Sequence, residues 1–489
     1  MRVRWVVMGL VASMPAVGSA QRALGQDPQT FERLERTLQD IERSRQVGAA
    51  DLEIGESGRL LFGGYTTFGF VASDDATSST RILRQSDTKL WADFTMAGHE
   101  VYGRLRFNYL DFNTGDSFDG RGDNLDEPIG DRYWYRFDYR TAHMADTGER
   151  SRDNVWFQAG RQFINWGTGL VLSEDLYAAK AAMELHNVEV MGLIGLTPST
   201  APVDFDSSRP GFDTDVDRRY MGLMFTYTGF DKHRPYFFFL DQQDQNDRDR
   251  QTVLLLGTPY PTRYHYDSRY LGVGSSGELT TELYYQTEFI YEYGRSLSSS
   301  ISPVLAPLAQ TEESISAWAA TARMIYSPRW GRPNGVRLDW EVMAASGDSD
   351  RQHTSNTFGG NQSGTKDHAF NALGYANTGL VLGPNFSNLL TLRMGASATP
   401  WRGQGIFDKM RVGVDGYLLH KLDSNAPVSF TTTGGERFLG AEFDFFVDWQ
   451  IYSDLSLDVR YGLFIPGDAM PAGNDDTRHF FYAGLNYAF

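Results

Sequence analysis

Arginines recur at alternate positions through several apolar runs: Arg104 and Arg106 in RLRFNYL, Arg136 and Arg140 in DRYWYRFDYR, Arg411 in MRVGVDGYL and Arg460 in LSLDVRYGL. Arg323, Arg337 and Arg393 share that setting, and Arg161 follows a glycine in AGRQF. Of 45 basic residues only Lys89, Lys180, Lys232, Lys366, Lys409 and Lys421 are lysine, which leaves 39 arginines (45 minus 6). A guanidinium keeps its charge in any surroundings and grips a carboxylate at two points. Acids occur at the same parity: Asp138, Asp339, Glu341, Asp415, Glu442, Asp444 and Asp458. Together these residues could pass an anionic solute along many weak sites, the acids keeping each site shallow enough to leave. The same letters also describe cross-strand ion pairs that only stiffen a wall.

Other chemistry finds little support. The nine histidines (His99, His143, His186, His233, His265, His353, His368, His420 and His479) are scattered, with no His-x-x-x-His pair for a metal. There is no Gly-x-Ser-x-Gly elbow. The reading is a non-enzyme without catalytic residues, metal or cofactor. The Asp-rich stretches offer oxygen ligands for calcium, yet none keeps a full calcium-loop spacing, so plain solvation is expected there.

What positions the arginines is strand periodicity. In RHFFYAGLNYAF, residues 478–489, Phe481, Ala483, Leu485, Tyr487 and Phe489 share one face, while Phe480, Tyr482, Gly484, Asn486 and Ala488 share the other. Runs with one apolar face and one charged face recur from Gly58 to the last residue. A single such strand would suit a soluble sandwich; repetition with charges in mid-strand requires a wet interior. Connections alternate between short ones (AGHE, IYSDLS) and long acidic ones (DFDSSRPGFDTDVD, DQQDQNDRDR), the pattern of periplasmic turns and external loops. The expected fold is all-β: a transmembrane antiparallel barrel over 51–489 of eighteen strands, with sixteen the alternative and the count lost between Arg161 and Leu196.

The N-terminus reads as an export signal over 1–20: Arg2 and Arg4, an apolar stretch, then small residues, with cleavage near Ala20. Residues 21–50 form a separate segment in which Asp27, Pro28 and Gly48 bound an amphipathic helix at 28–47. Its stripe of Phe31, Leu34, Leu38 and Ile41 suits packing on the periplasmic rim, or pairing with a periplasmic partner or a second copy. An exported chain without cysteine relies on hydrogen bonds rather than disulfides. The net charge of −17 becomes −19 once Arg2 and Arg4 leave (−17 minus 2), which argues against nucleic-acid partners.

Several pieces, in order, resemble the alginate export family of outer-membrane barrels: FQAGRQFINWGTGLVLSEDL (157–176), RYHYDSRYLGVG (263–274), LDWEVMAASGD (338–348), FNALGYANTGLVLGPNFSNLLTLRMGASATPWR (370–402) and FLGAEFDFFVDWQIYSDLSLDVRYGLFIPGDAM (438–470). The resemblance implies an eighteen-stranded monomeric barrel that passes an anionic exopolysaccharide through a narrow arginine-lined lumen, with Arg161 at the arginine of the Gly-Arg-Gln piece. Where the family commonly has another basic residue near GTGL, this chain has Leu170 and Val171. The expected partners are outer-membrane lipid and an anionic saccharide. A general porin and a barrel tethered by its N-terminal helix are the alternatives.

Overall fold

The computed structural model describes residues 50–489 apart from 55–57, 76–78, 118–121, 200–201 and 256–257. The export signal and the helix expected at 28–47 lie outside the described residues. Eighteen strands close one antiparallel ring: β2 (Gly58–Asp74), β3 (Thr80–Met96), β4 (His99–Phe112), β5 (Asn124–Asp138), β6 (Asn154–Trp166), β7 (Leu172–Leu185), β8 (Val188–Leu196), β9 (Arg218–Tyr227), β10 (His233–Asp244), β13 (Tyr266–Thr280), β14 (Leu283–Leu297), β15 (Glu312–Tyr326), β16 (Arg337–Ala345), β17 (Leu389–Ala398), β18 (Met410–Lys421), β19 (Phe438–Gln450), β20 (Leu455–Pro466) and β21 (Arg478–Ala488). Short β1 (Ala50–Ile54) pairs with the start of β2, and β11 (Gln251–Leu255) with β12 (Thr258–Thr262) makes a hairpin outside the ring.

Alternation decides the faces. On β14, Phe289 and Tyr291 are exposed on the outer wall while Glu288, Ile290 and Glu292 are buried inside. On β21, Phe480 and Tyr482 are buried while Phe481, Leu485 and Tyr487 are exposed. The last strand shuts the ring on β2, from Tyr65↔Ala488 to Ser73↔Phe480. At the very end the Phe489 N–H donates to the Gly64 carbonyl (2.9 Å) and the Gly64 N–H donates to the Phe489 carbonyl (2.8 Å).

The two rims differ. One carries tight turns, such as Ala97–Gly98 with φ of +47° and +86°, the positive values a two-residue hairpin needs. It also carries α1 (Tyr139–Thr147), which Asp138 caps by accepting from the Thr141 N–H. β2 begins and β21 ends here. The opposite rim carries the long loops, including 197–217, 245–265 and 346–388. With short turns inside the cell envelope and long loops outside, the acidic segments 204–217 and 245–250 fall on the outer rim.

Two expectations need correction. First, the interior is wet only in part. On β6 to β15 the inward residues Ile164, Trp166, Leu176, Tyr220, Phe238, Leu240, Tyr270, Ile290, Ala317 and Ala319 form an apolar core, packed against Phe370 and Leu373 of the 346–388 loop. That loop turns inward and pairs with strand tops: Leu172 bridges Leu373, and Ile315 bridges Asp367. Second, the acidic loops are not a solvated fringe. Asp204 is buried and accepts from Arg209 and Arg218, and the Arg218 guanidinium lies 4.3 Å from the Phe205 ring. Asp206 accepts from the Thr357 N–H (3.0 Å), tying two outer loops together. A charge removed from water in this way is tolerated because it is paired and hydrogen-bonded.

Deleting residues 486–489 removes the Phe489–Gly64 hydrogen bonds and shortens the closing strand. The truncated protein is expected to lose the heat-modifiable band of a folded barrel on gel electrophoresis. A normal yield of that band would contradict closure by the terminal strand.

Candidate functional site: an arginine-lined cavity in the lumen

Five of the arginines singled out in the sequence meet. Arg323, Arg337, Arg393, Arg411 and Arg460 line one cavity of about 300 Å³, together with Asp339, Asp415, Asp444 and Asp448. Strand register brings them there. Arg323, Glu341, Arg393, Tyr417 and Glu442 form one row across β15 to β19, and Arg337, Ser397, Gly413, Phe446 and Arg460 form another across β16 to β20. At Gly413 a Cβ would stand 2.3 Å from the Phe446 ring, so glycine is what lets that ring lie flat along the wall.

The arginines are not equivalent. Arg393 is fixed between Glu341 (3.1 Å) and Asp415 (3.0 and 3.1 Å). Arg460 donates to Asp448 (2.5 Å). Arg323 and Arg337 share one carboxylate, Asp339, at 2.5 and 2.7 Å. Among the described residues Arg411 donates only to the Ser397 hydroxyl (2.9 and 3.2 Å), stands 4.0 Å from Asp448 and lies over Phe446 (5.3 Å). Arg411 and Arg337 are also the most exposed of the five side chains, at 40% and 35%. They are the charges a solute would meet. Asp448 was absent from the sequence reading, although it has the parity of Asp444.

Elsewhere the predicted residues have other duties. Arg104 is held by Asp131 (2.5 to 3.1 Å), and Arg106 shares Asp87 with Lys89. These are struts in the wall. Arg136 lies over Trp156 (5.2 Å) with its nearest carboxylate, Asp138, at 4.0 Å, and register aligns it through Gln158 with Lys180, a lumen cation missed in the sequence. Arg140 is not on a strand. It opens α1, where it donates to the carbonyls of Ser151 and Arg152 and pairs with Glu184 (2.8 Å), because the Asp138 cap turns the chain into a helix. Arg161 is not on the lumen face either, since its register partners Tyr133 and Tyr177 are exposed on the outer wall.

Three of the acids expected to tune the lumen are instead anchors. Glu442 accepts the N–H groups of Val381 (2.6 Å) and Leu382 (3.0 Å), and Asp444 accepts that of Leu380 (3.1 Å). Asp458 is buried and accepts from Asn486 (3.2 Å), bonding β20 to the closing strand. Across the lumen Glu292 accepts the Asn371 N–H (3.0 Å), and Glu288 accepts from Thr168 and Tyr236. Glu288 and Glu292 went unremarked in the sequence, though both share one face of LYYQTEFIYEYGRSL. The inserted loop is braced within itself by Arg351, which pairs with Asp367 and donates to the carbonyls of His353 (2.9 Å) and Asn356 (3.0 Å). Burial, with Arg351 beside it, pushes the His353 imidazole down to about 4. No group of three or more His, Asp or Glu among the described residues is placed to hold a metal ion.

Comparison with known proteins agrees with this architecture. A family model described as alginate export matches residues 197–483. Two similar solved structures are Acinetobacter baumannii OccAB1 and Pseudomonas aeruginosa OccK5 (OpdH). The first is 11% identical, with 88% of this chain and 96% of that one covered at a TM-score of 0.50. The second is 9% identical, with 89% and 98% covered at 0.50. At such identities the likeness is one of fold. No curated protein matches the chain.

Replacing Glu442 by alanine leaves two loop N–H groups without their acceptor, a cost of about 1–3 kcal/mol for each buried donor. Single-channel recordings of Glu442→Ala are expected to show larger or noisier conductance than the wild type; identical traces would deny the anchor. The loop should also respond to pH. His353 is neutral in the folded loop and titrates at 6.5 when released. Its stabilisation is therefore complete above pH 6.5 and is lost as pH falls towards 4. Hydrogen exchange within 346–388 should accelerate over that window, and His353→Gln should flatten the response.

Proposed function

Since the chain belongs to the alginate export family of outer-membrane barrels, we propose that it passes anionic, uronate-bearing saccharides through its lumen, past the cavity of Arg337 and Arg411. The observation that carries this reading is the convergence of five arginines on one cavity lined by four aspartates, with Arg411 standing 4.0 Å from Asp448, a longer pair than those of the other four. A planar guanidinium accepts a carboxylate at two points, and Phe446 beneath it offers a flat apolar face for a sugar ring. Carboxylates nearby compete for the same donors, which keeps each contact brief. Conduction needs this weakness.

The acidic balance of the whole chain does not oppose anion passage. Charges farther away than about 8 Å are largely screened at physiological salt, and Asp204 is already neutralised by its own arginines. Charges within the low-dielectric lumen govern the permeating ion. The family and fold are those of channels rather than enzymes, and the outer membrane is where such barrels reside.

A planar bilayer with a salt gradient tests the reading. The wild type is expected to show mild anion preference, together with block by oligouronate. Arg337→Glu with Arg411→Glu should move the reversal potential towards cations and weaken the block, whereas Arg393→Gln, which alters a charge already held by two carboxylates, should change selectivity less. Cation preference in the wild type, unmoved by the double replacement, would favour a general porin for small solutes.

A further inference from the structure

β5 and β6 separate partway up the wall. They pair over six positions, from Asp138↔Trp156 to Tyr133↔Arg161, whereas the next shortest contact in the ring, β15 with β16, has eight. Beyond that point Asn124–Arg132 pairs only with β4, and Gln162–Trp166 only with β7. The sequence supports an open edge here. Pro128 has no N–H to offer a neighbour and is tolerated only where none is needed. Gly160, at the fork, has φ of +142°, and a Cβ there would stand 2.2 Å from the Tyr133 carbonyl oxygen. One strap crosses the opening: Arg132 of β5 reaches Asp175 of β7 (2.7 and 3.0 Å), its guanidinium 5.2 Å from the Phe163 ring of β6.

Arg161 stands at the fork. It is 6% exposed, makes no hydrogen bond or ion pair with the described residues, and its Nε is shut away without a partner. Its guanidinium lies 5.9 Å from the Tyr177 ring and acts electrostatically on Tyr133. Tyr133 and Tyr177 flank it in register and are 44% and 41% exposed. These tyrosines mark depth. Along the outer face of β7 the exposed Met183 lies near the inner rim, and the next outward residue beyond Tyr177 is the charged Asp175. On β9 the outward Met221 is followed by Arg219. Tyr177 therefore belongs to the aromatic girdle at the outer membrane–water boundary, level with lipid headgroups. From the lumen side the place is closed by buried Ile164, Trp166 and Leu176.

We propose that the fork between β5 and β6 is a binding site for a phosphorylated lipid of the outer leaflet, with Arg161 holding the phosphate. A buried guanidinium without a counter-charge is costly, and a phosphate satisfies its planar donors at two points. On the lipid side Tyr133 and Tyr177, hydrogen-bonded to each other, would part to admit the headgroup, and an acyl chain would lie against the exposed Phe157 of the outer wall. This site is independent of the lumen reading.

Folded protein in neutral detergent would be titrated by native mass spectrometry with three probes: lipid A carrying two phosphates, the same lipid after phosphatase treatment, and inorganic phosphate. The wild type is expected to hold one lipid A, to bind the dephosphorylated lipid at least about tenfold more weakly, and to release nothing to inorganic phosphate, since hydrogen bonds to charged groups are strong enough for that discrimination. Arg161→Gln should lose the lipid, and Arg411→Gln should retain it. If Arg161→Gln does not fold, Arg161→Lys, which keeps the charge without the fork, should bind with intermediate strength. Binding by Arg161→Gln equal to that of the wild type, by Arg161→Lys equal to it where Gln fails, or displacement of the lipid by inorganic phosphate would overturn the proposal.

Discussion

A main-chain N–H or C=O left without a partner at membrane depth costs several kcal/mol, and most of this architecture answers to that requirement. The ring answers it by pairing each strand with two neighbours, the fork between β5 and β6 excepted, and closing β21 on β2. The 346–388 loop poses the problem again, because it brings irregular backbone into the lumen. Carboxylates solve it there: Glu442, Asp444 and Glu292 each accept main-chain N–H groups from the loop. Each carboxyl group offers two oxygens to main-chain donors, so a few acids replace a ladder.

Charged residues consequently divide by duty. Arg104, Arg106 and Arg393 spend their donors on fixed partners and stiffen the wall. Arg411 and Arg337 keep capacity for something else. An apolar core fills part of the lumen along β6 to β15, and low-dielectric walls of this kind focus the field of nearby charges.

Much of the fold was legible because period-two alternation is a direct consequence of the pleat. The terminal run from Arg478 to Phe489 announced both its faces and its closing role. Between Arg161 and Leu196 the signal faded for physical reasons. β7 places Ala178 and Ala182 inside and Ala179 and Ala181 outside, so small residues on both faces blur the contrast. Parity located the cavity arginines correctly, but parity gives a face and never a partner. Glu341 and Glu442 look alike in sequence; one grips an arginine and the other grips a loop. Arg140 was misplaced because alternation ran on past Asp138, whose side chain caps a helix. The inward course of the loops left no periodic mark at all.

The contact between Gly64 and Phe489 has a consequence for biogenesis. It joins the first strand of the ring to its last, so closure waits until that last strand has been exported. Loop entropy hardly forbids it, since each doubling of the intervening length costs only about 0.6 kcal/mol. Time is the scarcer quantity, because distant strand pairings form slowly. Until β21 arrives, the edge of β2 that it covers remains a template open to any strand, including one from another copy. Faithful assembly therefore depends on how long the nearly finished chain is kept apart from its neighbours in transit.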